Sequence, residues 1–161
     1  MSGHGNIIAG WREWVSLPGR GVPWVKATVD TGARTSAIHA FDVEEFSRDG
    51  DDWVRFSIHP WQRSALHHVE TELPVHDRRM VRSSSGHSSR RLVVLTDLEL
   101  LGVTVPIELT LSRRDEMGFR MLIGRQALRQ GFLVDSDRSF LGVRPPRAAR
   151  RRNRGKEHPG D

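Results

Sequence analysis

An all-β fold, a barrel or a sandwich, is what three features of this 161-residue sequence predict. Apolar and β-branched runs of about four to nine residues recur at intervals of about 8 to 12 residues, separated by turn-forming clusters. Val103, Val105, Ile107, Leu109 and Leu111 alternate with Thr104, Pro106, Glu108 and Thr110, a period of two that places one face inward. Helical periodicity is confined to Arg125–Gln130, closed by Gly131.

Taken in order, residues 1–9 are small and polar and read as a flexible N-terminus, with the folded domain over residues 10–143 and a basic tail over 144–161. A first strand runs from Gly10 to Leu17 and stops at Pro18-Gly19. Trp24 to Val29 returns as a second strand after a short hairpin connection at Arg20-Gly21. Thr35 to His39 reads as extended with Ile38 inward, Asp42 to Phe46 as a polar turn, and Arg48 to Asp52 as a loop. Val54, Phe56 and Ile58 share one face of a half-buried strand that Pro60 ends. Ser64 to Val75 is predicted to be a partly exposed strand. Arg79–Arg82 and Arg91–Thr96 form the legs of a long hairpin, whose tip Ser83–Ser89 is rich in small polar residues. Pro106 marks an edge or bulge, Arg113–Glu116 a charged turn, and Phe119–Ile123 an apolar run closed by Gly124. Phe132–Asp135 and Ser139–Leu141 complete the strands.

Composition removes several kinds of chemistry. There is no cysteine, so thiol catalysis, thiolate zinc sites and disulfides are excluded. No stretch approaches the ~18 apolar residues of a membrane helix, and the first ten residues lack the features of a signal peptide, which leads to an expectation of a cytoplasmic protein without membrane contact. The net charge of +5 resides wholly in residues 144–161, so residues 1–143 are formally neutral and carry no nucleic-acid footprint. Rich in Arg, Pro and Gly and devoid of apolar periodicity, Pro145 to Asp161 is expected to be disordered, with weak, salt-sensitive attraction for RNA or acidic peptides as its one candidate role.

The chemistry concentrates at Asp30-Thr31-Gly32-Ala33-Arg34, where a carboxylate follows an apolar strand and precedes a tight turn. That tripeptide is also an ordinary turn sequence. Its surroundings raise its interest, because a second apolar run ends at Ile123-Gly124 in the same manner and the hairpin tip lies between the two.

Val29-Asp30-Thr31-Gly32-Ala33 together with Met121-Leu122-Ile123-Gly124-Arg125 and a following short helix resembles the retropepsin-like aspartic peptidases. Gly10-Trp11-Arg12-Glu13, Asp30–Ala40, Arg78–Val81 and Glu108–Leu111 further resemble the bacterial RimK-associated family, also labelled ATP-dependent zinc protease, over residues 10–142. The resemblance implies a small closed acid-protease β-barrel with one short C-terminal helix. It implies a homodimer with one catalytic aspartate, Asp30, per chain, acting as an endopeptidase on peptides or proteins without a cofactor. Thr31 would bond across the dimer, Gly32 and Ala33 would support the carboxylate, and Ser84, Ser85 and Gly86 would belong to a substrate-contacting flap. Neither a phosphate-binding loop nor a His-Glu-x-x-His helix is present to match the family's label, and no metal ligand set is assigned.

Arg34 departs from viral retropepsins, which have a small or acidic residue at that place. It either selects acidic substrates or points outward to pair with Glu44 or Glu45. Of the eight histidines only His67, His68 and His76 cluster, and adjacent strand residues face opposite ways, which disfavours a ready-made zinc site. Asp77 is read as a salt-bridging residue beside Arg78-Arg79 in preference to a second acid, and the tryptophans as core. Two alternatives to the peptidase are a noncatalytic peptide-binding module accessory to an ATP-grasp amino-acid ligase and a zinc-dependent peptidase.

Overall fold

A computed structural model describes residues 6–61, 67–82, 86–112 and 119–153. Its strands are β1 Ile7–Gly10, β2 Arg12–Leu17, β3 Val22–Val29, β4 Ser36–His39, β5 Phe41–Arg48, β6 Asp51–Ile58, β7 Val69–Pro74, β8 Asp77–Arg82, β9 Ser88–Leu100, β10 Val103–Ser112, β11 Met121–Ile123 and β12 Phe132–Asp135; its helices are α1 Arg125–Leu128 and α2 Arg147–Asn153.

Six strands close on themselves in the order β10-β4-β11-β3-β2-β9, with β9 pairing back onto β10. Closure removes the unpaired edges that an open sheet leaves exposed. Alternation supplies the filling: Val25, Ala27 and Val29 of β3, Val105, Ile107, Leu109 and Leu111 of β10, and Met121 and Ile123 of β11 all point into one buried cluster. Truncating a residue such as Ile123 to alanine would cost about 2–5 kcal/mol.

β9 is long because it serves three partners, meeting β2 only at its end, where Val15 and Ser16 pair with Leu100 and Glu99. Its second half pairs with β10 from Val93 to Leu100, while its first half leaves the barrel to pair with β8, forming the predicted hairpin. β5, β6 and β7 form a separate three-stranded sheet inserted between β4 and that hairpin. Val54, Phe56 and Ile58 are buried on one face of β6, as their alternation requires.

Several boundaries differ from those the sequence suggests. Ile7–Gly10 is a strand paired in parallel with β12, so the N-terminal segment is ordered by a partner 125 residues away that local composition does not reveal. Asp42–Phe46 is strand and not turn, its polar residues facing solvent while the backbone pairs with β6. Ser139–Leu141 is not a strand; it lies along residues 10–13, with Trp11 N–H donating to the Arg138 carbonyl at 2.9 Å and Phe140 N–H to the Arg12 carbonyl at 2.9 Å. Within the tail predicted to be disordered, Arg147–Asn153 forms helix α2, with Ala149 buried. Residues 1–5, 154–161, the charged turn 113–116 and Ser64 lie outside the described residues.

The Gly10-Trp11-Arg12-Glu13 motif acquires a reason here. A Cβ on Gly10 would collide with the Arg138 carbonyl and lie 2.7 Å from Ser139 Cα. Glu13 is fully buried, and its carboxylate accepts the backbone N–H groups of Gly10 (2.7 Å), Leu141 (3.1 Å) and Gly142 (3.2 Å). A buried carboxylate is tolerated only with such partners, and here it joins the start of the barrel to the segment after β12.

Candidate active site

Asp30 leaves the end of β3 where β11 passes between β3 and β4, parallel to the first and antiparallel to the second. Strands β3 and β4 are thereby parted, and the chain joining them, residues 30–35, is held at the barrel's end. Asp30 N–H donates to the Ile123 carbonyl at 2.9 Å, continuing the β3–β11 ladder into the acid itself. Its Oδ1 accepts the Gly32 N–H at 2.8 Å, and Ala33 N–H returns to the Asp30 carbonyl at 3.2 Å. Asp30 is half-buried, while Thr31, Gly32 and Arg34 are exposed. A Cβ on Gly32 would sit 3.1 Å from Asp30 Oδ1, so a side chain there would crowd the carboxylate that its amide supports.

The second glycine step is spatially joined to the first. A Cβ on Gly124 would lie 2.5 Å from the Thr35 carbonyl oxygen and 2.6 Å from its carbon, so only glycine lets the two segments touch. Gly124 N–H donates to the buried Ser36 Oγ at 3.1 Å. Helix α1 then fastens the acid's loop from below: Arg125 N–H donates to the Ala33 carbonyl at 2.8 Å and Gln126 N–H to the Arg34 carbonyl at 3.0 Å. The Arg125 guanidinium donates to the Thr31 carbonyl at 3.0 Å. Ile123 and Gly124, flagged in the sequence, thus meet Asp30–Ala33. Ser36, two residues beyond Arg34, and Arg125, next to Gly124, lie within the motifs read from the sequence but are given no role there.

Beyond Ala33 and Arg34 opens a groove of about 470 Å³ between the barrel and the β8–β9 hairpin, lined also by Thr35, Arg79, Arg91, Thr110 and Ser112. Arg34 does not pair with Glu44 or Glu45, which engage Arg55 (3.1 Å) and Arg78 (2.5 Å). Larger apolar space exists near Trp14, Trp24 and Val143, but neither the Asp30 loop nor the hairpin lines it. The 470 Å³ groove is lined by Ala33 and Arg34 of the acid's loop, though not by Asp30 itself, and by the hairpin, which makes it the relevant one.

Ion pairs hold the hairpin's base. Asp77 accepts from Arg79 Nε at 2.7 Å and from the Arg78 N–H at 2.7 Å, and these bonds, the first foremost, draw its carboxyl below the ordinary value of 3.8. Arg79 also pairs with Glu108 of β10, and this bond, followed by that to Asp77, raises its already high pKa. Arg78 reaches the other way, to Glu45 at 2.5 Å and Asp52 at 3.2 Å in the inserted sheet, and is shifted up chiefly by Glu45. Asp77 is therefore a salt-bridging residue. Of the predicted flap tip, Gly86 is exposed in a left-handed conformation (φ 86°), while Ser84 and Ser85 lie outside the described residues.

Among the described residues no three His, Asp or Glu side chains converge as metal ligands. His59 stacks on Phe41 at 4.2 Å and its Nδ1 bonds the His67 carbonyl at 3.0 Å, an arrangement that engages these rings in packing. No helix among the described residues is long and apolar enough to cross a membrane.

A closed barrel in which an Asp-Thr-Gly loop is braced by a second apolar-glycine step defines the retropepsin-like class of proteins. Residues 8–145 match the model of the family described as RimB-like, retropepsin-like aspartic endopeptidase RimB, and the chain belongs to that family. Relatives include probable alpha-L-glutamate ligases of Shewanella pealeana, 47% identical over 134 residues, and of Desulfotalea psychrophila, 47% identical over 128 residues. These matches take in 83% and 80% of this chain but 29% and 28% of the relatives, so the chain spans less than a third of those proteins. A crystal structure of a Legionella pneumophila protein of unknown function shares the fold, with a TM-score of 0.70 and 23% identity over 84% of this chain and 98% of that one.

Proposed function

We propose that this protein is an aspartic endopeptidase that acts as a homodimer on peptides bearing acidic side chains. The observation that carries the reading is the fixed, half-buried Asp30 carboxylate, supported at Oδ1 by the Gly32 amide on a loop whose Ala33 and Arg34 line a groove of about 470 Å³.

Hydrolysis of an amide by carboxylates needs two of them about 3 Å apart sharing a proton. One takes a proton from the attacking water while the other donates a hydrogen bond to the scissile carbonyl; the proton then passes to the leaving amine. Each chain contributes one Asp30, so the pair forms only on the two-fold axis of a dimer. Its two apparent pKa values belong to the pair. Thr31, exposed next to the acid, would bond the opposing loop. Ser84, Ser85 and Gly86 at the hairpin tip would close over substrate, and no cofactor takes part.

Arg34 supports the acidic preference, since its cation opens onto the groove a few residues from Asp30. The relatives' name supports it from another direction: proteins called probable alpha-L-glutamate ligases match this chain over about 29% of their length, and glutamate is an acidic residue. That association equally favours a second reading, in which the domain grips acidic chains without cutting them. Purified protein incubated with α-glutamyl peptides separates the two. Cleavage that is lost in Asp30→Asn and indifferent to chelator establishes the aspartic peptidase. Binding without cleavage in the wild type leaves the accessory module, and activity lost to chelator restores the zinc peptidase.

A further inference from the structure

The groove beside Asp30 is lined by cations of unequal standing. In the β8–β9 ladder Arg79 lies directly opposite Arg91, and alternation puts both on the face that turns toward the barrel, together with Val81 and Ser89. Two like charges directly opposite each other are destabilising. Arg79 is compensated twice, by Asp77 and by Glu108. Arg91 meets no carboxylate among the described residues. Two hydroxyls fix its direction: Nη1 donates to Ser112 Oγ at 2.8 Å and Nε to Ser89 Oγ at 2.9 Å. Ser112 and its neighbour Thr110, each 7% exposed, form a polar floor that continues to Thr35, whose hydroxyl lies 3.3 Å from that of Thr110.

A guanidinium oriented by neutral partners, opposite a second cation and over a floor of hydroxyls, is arranged for an anion that arrives from outside. Arg34 faces the same groove.

We infer that Arg91 is a specificity-determining residue, which takes the carboxylate of a substrate side chain near the scissile bond while Ser112 holds its guanidinium in place. The inference rests on the peptidase reading for its purpose, and it adds the division of labour: Arg79 belongs to the hairpin's own base, and Arg91, with Arg34 beside it, belongs to the ligand. Planar two-pronged recognition of a carboxylate suits arginine and not lysine.

The test measures fluorescence anisotropy of a labelled α-glutamyl peptide of about eight residues, and of a glutamine-containing peptide of equal length, on the full-length Asp30→Asn protein at fixed ionic strength. Arg91→Gln is expected to weaken the glutamyl peptide about 10- to 100-fold, the range for a hydrogen bond to a charged group, and to leave the glutamine peptide unchanged. Arg91→Lys recovers part of that loss. Arg90→Gln removes the same charge from the exposed opposite face and should change binding little. Should Arg91→Gln fail to give a native thermal transition, Ser112→Ala, which removes the hydroxyl that holds the guanidinium, reads the same site by a drop of a few-fold. Equal losses from Arg91→Gln and Arg90→Gln, or undiminished glutamyl binding in the folded Arg91 or Ser112 variant, overturn the inference. Cleavage persisting in Asp30→Asn overturns the catalytic assignment alone, because this binding comparison uses no turnover.

Discussion

The loop that carries Asp30 and the base of the β8–β9 hairpin face each other across one groove, yet they are held by different forces. Asp30 is fixed by backbone hydrogen bonds to Ile123 and Gly32, by close contact at Gly124, and by the start of α1. Beyond its backbone ladder with β9, strand β8 at the hairpin base is tied to its surroundings by side-chain ion pairs among Asp77, Arg78, Arg79, Glu45, Asp52 and Glu108, all within reach of solvent. Backbone contacts at van der Waals distance tolerate little displacement, whereas exposed ion pairs are each worth about 0–1 kcal/mol and are weakened by salt. On the proposed reading, the carboxylate that would meet its counterpart lies on the rigid side, and the wall that would admit and release a peptide lies on the side that water can compete for.

Four substitutions test that division, from the largest effect to the smallest. Asp30→Asn should lower the rate of peptide cleavage by on the order of 10³-fold or more while leaving the circular dichroism spectrum unchanged, because the amide cannot take a proton from water. Retained turnover would remove the acid from the reaction. Gly124→Ala forces a methyl group against the Thr35 carbonyl, and urea unfolding should register a loss of about 1–3 kcal/mol, with activity falling as Asp30 is displaced. An unchanged midpoint would mean that the loop yields more easily than the geometry indicates.

Glu13→Gln keeps size and leaves one acceptor oxygen for three backbone donors. The variant should be destabilised by about 1–3 kcal/mol in the same assay. The last effect belongs to the hairpin. The folded pKa of Asp77 is depressed below 3.8, so its contribution to stability is complete above the unfolded pKa and is lost as pH falls through the folded one. Asp77→Asn should therefore give a small loss at neutral pH, where that contribution is complete, which fades below about pH 4 and so flattens the acid limb of the stability–pH curve. A loss at neutral pH as large as that of Gly124→Ala would erase the distinction between the two regions.

Much of the barrel could be read from the chain, since alternation in β6 and β10 needs only side chains of one face to be apolar. Asp30, Gly32, Ile123 and Gly124 were also visible, each at the end of an apolar run. Arg91 was not, because its distinction lies in lacking the carboxylates that Arg79 has, and which arginine finds Asp77 and Glu108 is settled by ladder register and not by spacing. Strand β1 escaped notice because its partner is β12, and α2 because its sequence composition is that of a solvated tail.

By itself the sequence determined which residues could be buried, where the chain must turn, and that one aspartate follows an apolar strand, since these depend on local periodicity and on what glycine permits. Tertiary structure alone decided that Gly124 touches Thr35, that Glu13 gathers three amides from both ends of the domain, and that Arg91, beside Arg79, meets no carboxylate among the described residues. Those facts are contacts between segments distant along the chain, and their energies exist only once the barrel has closed.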